Sequence, residues 1–253
     1  MALYLLCAIT YSVMTPAWEA PDEVGHFDFI RHLRQAKTLP DIRTAVPGEA
    51  HQPPLYYLVT TLFTLPADIS SPVGAFRSNP DFMWRNTGGT DINSGQRGTA
   101  QTFPYQGQGL ALQLARLASV AMGALTIFFI IKTGWLIFPN QPQIGLLAGA
   151  LAAFTPQFLF ISGAINNDNL LILATTGACW QMVKAMKQPQ LWRQWSAVGL
   201  WVAAAVLSKL TGAAVGLTAV FALMLCTVTT RSWALLWRGG AALALPPLLL
   251  SGW

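Results

Sequence analysis

Long apolar runs separated by short polar turns fill the second half of the chain, and a proline-rich polar interval divides them from one more apolar run at the start. The runs at 110–138, 143–164, 170–186, 195–207 and 211–227 carry charge only towards their ends. A membrane crossing takes about 20 apolar residues, so these runs predict spans two to six. Residues 1–15 predict a short first span. The run from 241 would open a seventh, and its halt inside an apolar segment suggests a fragment lacking its C-terminal part. The interval 16–108 cannot lie in hydrocarbon, because irregular backbone there would leave polar groups unpaired. It holds two helix-like pieces. One starts at Pro21, with Phe27, Ile30, Leu33 and Arg34 at helical spacing on an interfacial face. The other, 53–65, reaches only about 20 Å at ~1.5 Å per residue, too short for a ~30 Å core. Residues 67–105 read as loop. The expectation is an all-α polytopic transmembrane bundle in a single module, 1–253. Its first loop is 16–108 and its helices two to about seven occupy 109–253.

Composition agrees. The chain is 53% hydrophobic and 10% charged, with a mean hydropathy of +0.45, whereas soluble domains run near a quarter charged. The net charge of +5 is spread thinly. With no basic block or basic–aromatic stripe, a nucleic-acid partner is excluded. Cys7, Cys179 and Cys226 sit singly in apolar runs and read as packing residues. Basic residues sort the short loops: Lys184, Lys187, Arg193, Arg231 and Arg238 mark one side as cytoplasmic. Alternation then puts 16–108, the Asn166–Asp168 turn and Lys209 on the opposite, extracytoplasmic side.

Candidate chemistry concentrates just after the first run. Glu19, Asp22, Glu23, His26 and Asp28 fall within ten residues, in a chain with ten acids in all. Asp22 and His26 share a helix face at i,i+4, and Glu23 and His26 are neighbours at i,i+3. Such a pair serves as a general base, a metal pair or a hydrogen-bonded structural pair. Trp18, Phe27 and Phe29 flank it as a partly apolar pocket wall. Asp168, beside Asn167, is either a polar helix cap or a second carboxylate for metal or acceptor binding. His51 is a loop histidine with a possible substrate role. Lys209 and Arg116 either reach towards the interface or contact a phosphate, and Arg77, Arg85 and Arg97 invite the same two readings. HExxH, GxSxG, Walker and GxGxxG signatures are missing, which argues against a zinc protease and ATP-driven transport.

Together these motifs resemble the GT-C superfamily of polytopic glycosyltransferases, which includes protein O-mannosyltransferases and aminoarabinose transferases. Pro21-Asp-Glu-x-x-His26 looks like their acidic first-loop motif. His51-Gln-Pro-Pro-Leu-Tyr56 is similar to their His-Pro-Pro-Leu motif with Gln52 added. Arg116-Leu-Ala-Ser119 resembles the start of their second span, and Asn166-Asn-Asp168 their second outer loop. The strongest likeness is to a bacterial branch with Pro-Asp-Glu-x-x-His and Asn-Asn-Asp motifs. The resemblance implies a cell-envelope enzyme in the inner membrane with an extracytoplasmic site. It implies a polyprenyl-phosphate sugar donor, a glycan, lipid or protein acceptor, and inverting displacement. Asp22 would be the base, oriented by Glu23 and His26. Lys209 and Arg116 would meet the donor phosphate, and His51, Asn167 and Asp168 the substrate. Some relatives use a divalent metal such as magnesium or manganese; Asp22 and Asp168 are the candidate ligands, although the chain has no Asp-x-Asp. Two other classes compete. A transporter or lipid-carrier flippase would use the acids as an ion or proton site, with charges at mid-span. A membrane scaffold would tolerate alanine in the acidic cluster. Whether Asp22, Asp168 and Lys209 approach a common cavity discriminates these classes, because a transferase needs that convergence and a scaffold does not.

Overall fold

The computed structural model describes residues 1–43, 48–70, 79–83, 88–91, 93 and 102–250. Arg77, Arg85 and Arg97 lie outside them. Of the described residues 72% are helical. Among the described residues the helices are α1 (Ala2–Met14), α2 (Glu23–Ala36), α3 (Leu55–Thr64), α4 (Gly107–Ile137), α5 (Pro142–Ala153), α6 (Pro156–Ser162), α7 (Asp168–Lys187), α8 (Trp192–Ser208), α9 (Ala213–Thr230) and α10 (Trp233–Leu250). Their only strand-like feature is an isolated bridge between Phe82 and Asp91.

Among the described residues three helical segments are long and apolar enough to cross a membrane: Gly107–Ile137, Leu210–Thr230 and Trp233–Leu250. The protein is therefore an all-α polytopic membrane bundle. Large apolar side chains such as Leu217, Phe221, Val228, Trp237 and Leu248 face outward, as a lipid-facing surface requires.

The first expected span forms as the 13-residue α1, shorter than those three, and three more expected spans differ from the sequence reading. The third is broken into α5 and α6, which meet at 68°. Pro156 opens α6 at a position where its missing N–H costs nothing. The fourth and fifth form as helices, α7 of 20 residues and α8 of 17, but are not among the segments long and apolar enough to cross on their own. They are interior elements. Gln181 of α7 donates to the side chain of Gln194 of α8, a polar contact between helices that lipid would not provide.

Close backbone approach holds α4 to α5. A Cβ on Gly134 would stand 2.4 Å from the Cα of Gly145. Small residues at such a crossing let helices pack by dispersion alone. Gly134→Leu is expected to separate the pair and lower the melting temperature in detergent, whereas Gly48→Ala, with open space around it, leaves the melt unchanged.

The two ends of the bundle differ. At one end the Lys187 ammonium bonds the Leu136 carbonyl, Lys184 lies 4.4 Å over Trp180 and Arg193 lies 5.7 Å from Trp192. The other end gathers the start of α4, the start of α7, the end of α8 and the small helices α2 and α3.

Candidate active site

The acidic stretch is built around one buried ion pair. Glu23 is fully buried and Arg116 is 2% exposed. Arg116 Nε donates to Glu23 Oε1 at 2.8 Å and Nη2 to Oε2 at 2.6 Å. Its Nη1 donates to the carbonyls of Ser12 and Thr15, and Nη2 also to that of Pro16. The guanidinium thereby caps the orphan carbonyls at the end of α1 and grips the first residue of α2. The remaining Glu23 lone pairs accept the N–H groups of Trp18 and Ile165.

This geometry reassigns two residues. The Arg116 fork is spent within the chain, so it holds the acid loop and is not poised for a phosphate. Glu23, enclosed by four donors, sets the loop's shape.

Asp22 is different. It is exposed and sits in the left-handed region, φ 60°, ahead of α2. It shares a recess of about 410 Å³ with Trp18, Gly25, Asp28, Gly48 and Glu49. Gly25 makes that recess possible, because a Cβ there would lie 2.9 Å from Glu49 Cγ. Trp18 also has positive φ, 72°, a strained conformation for a bulky residue. It is held by its bond to Glu23 and packs on Phe27 with ring centroids 5.2 Å apart. Glu49 was missed by sequence reasoning. Its one signal is the absent side chain at Gly25, which sequence spacing cannot connect to a loop twenty-four residues on.

His26, one turn along the chain from Asp22, is buried and does not line the recess. Its Nδ1 is 2.8 Å from the Tyr57 hydroxyl, and Tyr57 stacks on Phe29 at 3.8 Å. Burial pushes the imidazole pKa below its usual value; Glu49, Asp22 and Asp168 oppose that shift and Lys209 adds to it. His26 is thus the point at which the charges of both loops are felt together.

Asp168 and Lys209 meet directly, Oδ1 to Nζ at 2.7 Å, with side chains 35% and 31% exposed. Asn167 Nδ2 fixes this corner by donating to the Ser208 carbonyl and to Gln52 Oε1, each at 3.0 Å. Gln52, the residue added to the His-Pro-Pro-Leu pattern, therefore ties the first loop to the second. Tyr56 joins them again: its hydroxyl is 2.9 Å from Ser119 Oγ and accepts the Asn166 N–H at 3.0 Å. His51 remains exposed, its Nε2 3.1 Å from Gln52 Nε2; it meets the corner only through that neighbour.

The donor set does not fit a divalent cation. Lys209 already occupies the cation position at Asp168, and among the described residues no three His, Cys, Asp or Glu side chains gather as ligands.

Every motif quoted from the sequence thus takes part in one interlocked end of the bundle. Residues 108–251 match the model of the dolichyl-phosphate-mannose-protein mannosyltransferase family. The chain belongs to that family. It is a GT-C type membrane glycosyltransferase, and the family implies a lipid-linked sugar donor. The match spans α4 to α10 and includes Arg116, Asp168 and Lys209, while the acid stretch precedes it. No curated protein and no solved structure matches the chain.

Proposed function

We propose that the protein transfers a sugar from a polyprenyl-phosphate carrier to an acceptor hydroxyl by a single inverting displacement, at the extracytoplasmic face of a bacterial inner membrane. The observation that carries this reading is the division of labour between adjacent acids. Glu23 is locked into structure, and Asp22 is left exposed in a recess whose charges meet those of Asp168 and Lys209 at His26.

Asp22 takes the proton from the acceptor hydroxyl as its oxygen attacks the anomeric carbon. The lipid phosphate departs with the bonding electron pair. Its charge develops towards Lys209, the cation of this corner with a partly exposed side chain. His26, neutral and anchored by Tyr57, positions the helix start that carries Asp22. Asn167 holds the Lys209 corner through the carbonyl of Ser208. The whole chain 1–253 acts as one module, the first loop supplying the base and the later helices the phosphate contact. The basic, tryptophan-rich end at Lys184, Lys187 and Arg193 suits the cytoplasmic surface, which supports an extracytoplasmic site.

The test is to incubate membranes containing the protein with radiolabelled polyprenyl-phosphate hexoses and pentoses. Label is expected to leave the carrier for an acid-stable product. If no lipid-phosphate sugar is consumed while a nucleotide sugar is, the donor assignment fails.

A further inference from the structure

The pairing of Lys209 with Asp168 has a feature that a purely structural ion pair lacks: both backbones are pinned while both side chains reach solvent. Lys209 breaks the chain between α8 and α9 in an extended conformation, φ −160° and ψ 139°. Its N–H bonds the Ala205 carbonyl at 3.0 Å, and its own carbonyl accepts the Gly212 N–H at 2.8 Å. Gly212 is packed so closely on Ala205 that a Cβ would fall 2.4 Å from that carbonyl. On the other side, the Asp168 N–H is held by Asn166 Oδ1 at 2.8 Å. Only the side-chain torsions are left to move. Asp168 also lies in the first turn of α7, where the partial positive charge of the helix end stabilises a nearby negative charge.

Resting on the donor reading above, we propose that the Asp168 carboxylate is a placeholder that occupies the seat of the donor phosphate on Lys209 and is displaced when that phosphate binds. Ion pairs this exposed are weak, so displacement costs little. Asp168 nevertheless competes as an intramolecular ligand at high effective concentration. A phosphate arriving from bulk water meets that competition unaided. A phosphate carried by a prenyl chain is concentrated in the plane of the bilayer and overcomes it. The seat thus selects lipid-borne phosphates over soluble ones.

It also addresses release of the spent carrier. The donor is a phosphodiester with one negative charge; transfer breaks the bond to the anomeric carbon and leaves a monoester that gains a second charge near neutral pH. That product binds a lone lysine more tightly than the donor does. Return of Asp168 to Lys209 offsets the difference and frees the carrier.

The proposal is tested by binding, without turnover. The full chain is placed in lipid nanodiscs and titrated with farnesyl phosphate and with inorganic phosphate, followed by ³¹P NMR or thermophoresis. Asp168→Asn is expected to tighten farnesyl phosphate about fivefold, the equivalent of one exposed pair, and to create measurable inorganic phosphate binding. Asp168→Glu is expected to restore the parent's behaviour. Lys209→Gln is expected to abolish both, alone or combined with Asp168→Asn. Damage to the fold does not produce a gain of affinity, so a structural role alone would not give this result. Weaker or unchanged binding in Asp168→Asn, with Lys209→Gln still defective, overturns the placeholder while sparing the seat. Unchanged binding in Lys209→Gln overturns the seat itself. Should Asp168→Asn fail to fold, Asp168→Ser carries the same comparison.

Discussion

Asp22→Asn is expected to lower sugar transfer by about 10²- to 10⁴-fold at unchanged protein level, the range a positioned general base contributes. The substitution keeps the volume and the exposed setting at the mouth of the recess. It removes only the capacity to accept a proton. The left-handed backbone at this position is tolerated by Asn as readily as by Asp, so the fold should not change. The appropriate comparison is initial velocity in membranes, with donor binding measured in parallel. A loss in kcat with donor affinity retained is the expected pattern; retention of full velocity would remove Asp22 from the reaction. Glu49→Gln, across the same recess, is the informative neighbour. If it, and not Asp22→Asn, silenced the enzyme, the base would be the residue that sequence reasoning missed.

Arg116→Met is expected to cost stability on a comparable scale. It strips Glu23 of both charged bonds and leaves a carboxylate with no exposure to water. Breaking one side of a buried pair costs about 3–5 kcal/mol, and the end of α1 loses its cap as well. For a chain of this size a kcal/mol moves the melting temperature by about 2–4 °C, so a fall of about 10 °C is expected in a detergent melt followed by size exclusion. Glu23→Gln with Arg116→Met should recover part of the loss, since the double change removes the stranded charge. A single variant melting within about 2 °C of the parent would show the pair to be dispensable.

The helical bundle was legible because lipid imposes a long apolar period on any chain that crosses it. Where helices face one another and not lipid, that constraint relaxes. Hence α7 and α8, with Gln181 and Gln194 between them, form as helices without the hydropathy of a span. The break at Thr155–Pro156 was visible as a proline, but the 68° bend was not, because the same proline at a first turn is compatible with a straight helix.

The candidate site was legible as a set of motifs and illegible as a set of partners. Asp22, His26, Asp168 and Lys209 were singled out, and all four lie at the same end of the bundle. Arg116 was assigned a phosphate because a lone arginine near a span end advertises charge but not direction. Its partner stands ninety-three positions away, |i−j| = 93, and no local spacing encodes that. Gln52 looked like an insertion in a family pattern and proves to be the bond from the first loop to Asn167.

The same separation governs the order in which the protein is made. When Glu23 leaves the ribosome, α4 is not yet synthesised, and a carboxylate destined for complete burial has no counter-charge. The acidic extension of the first helix cannot form its buried ion pair until Arg116 follows. The pair therefore closes only after α4 has been made, and a segment translated early is locked by one translated later. A nascent chain arrested before residue 116 would hold every candidate proton-transfer group of the first loop and lack the guanidinium that holds that loop in shape.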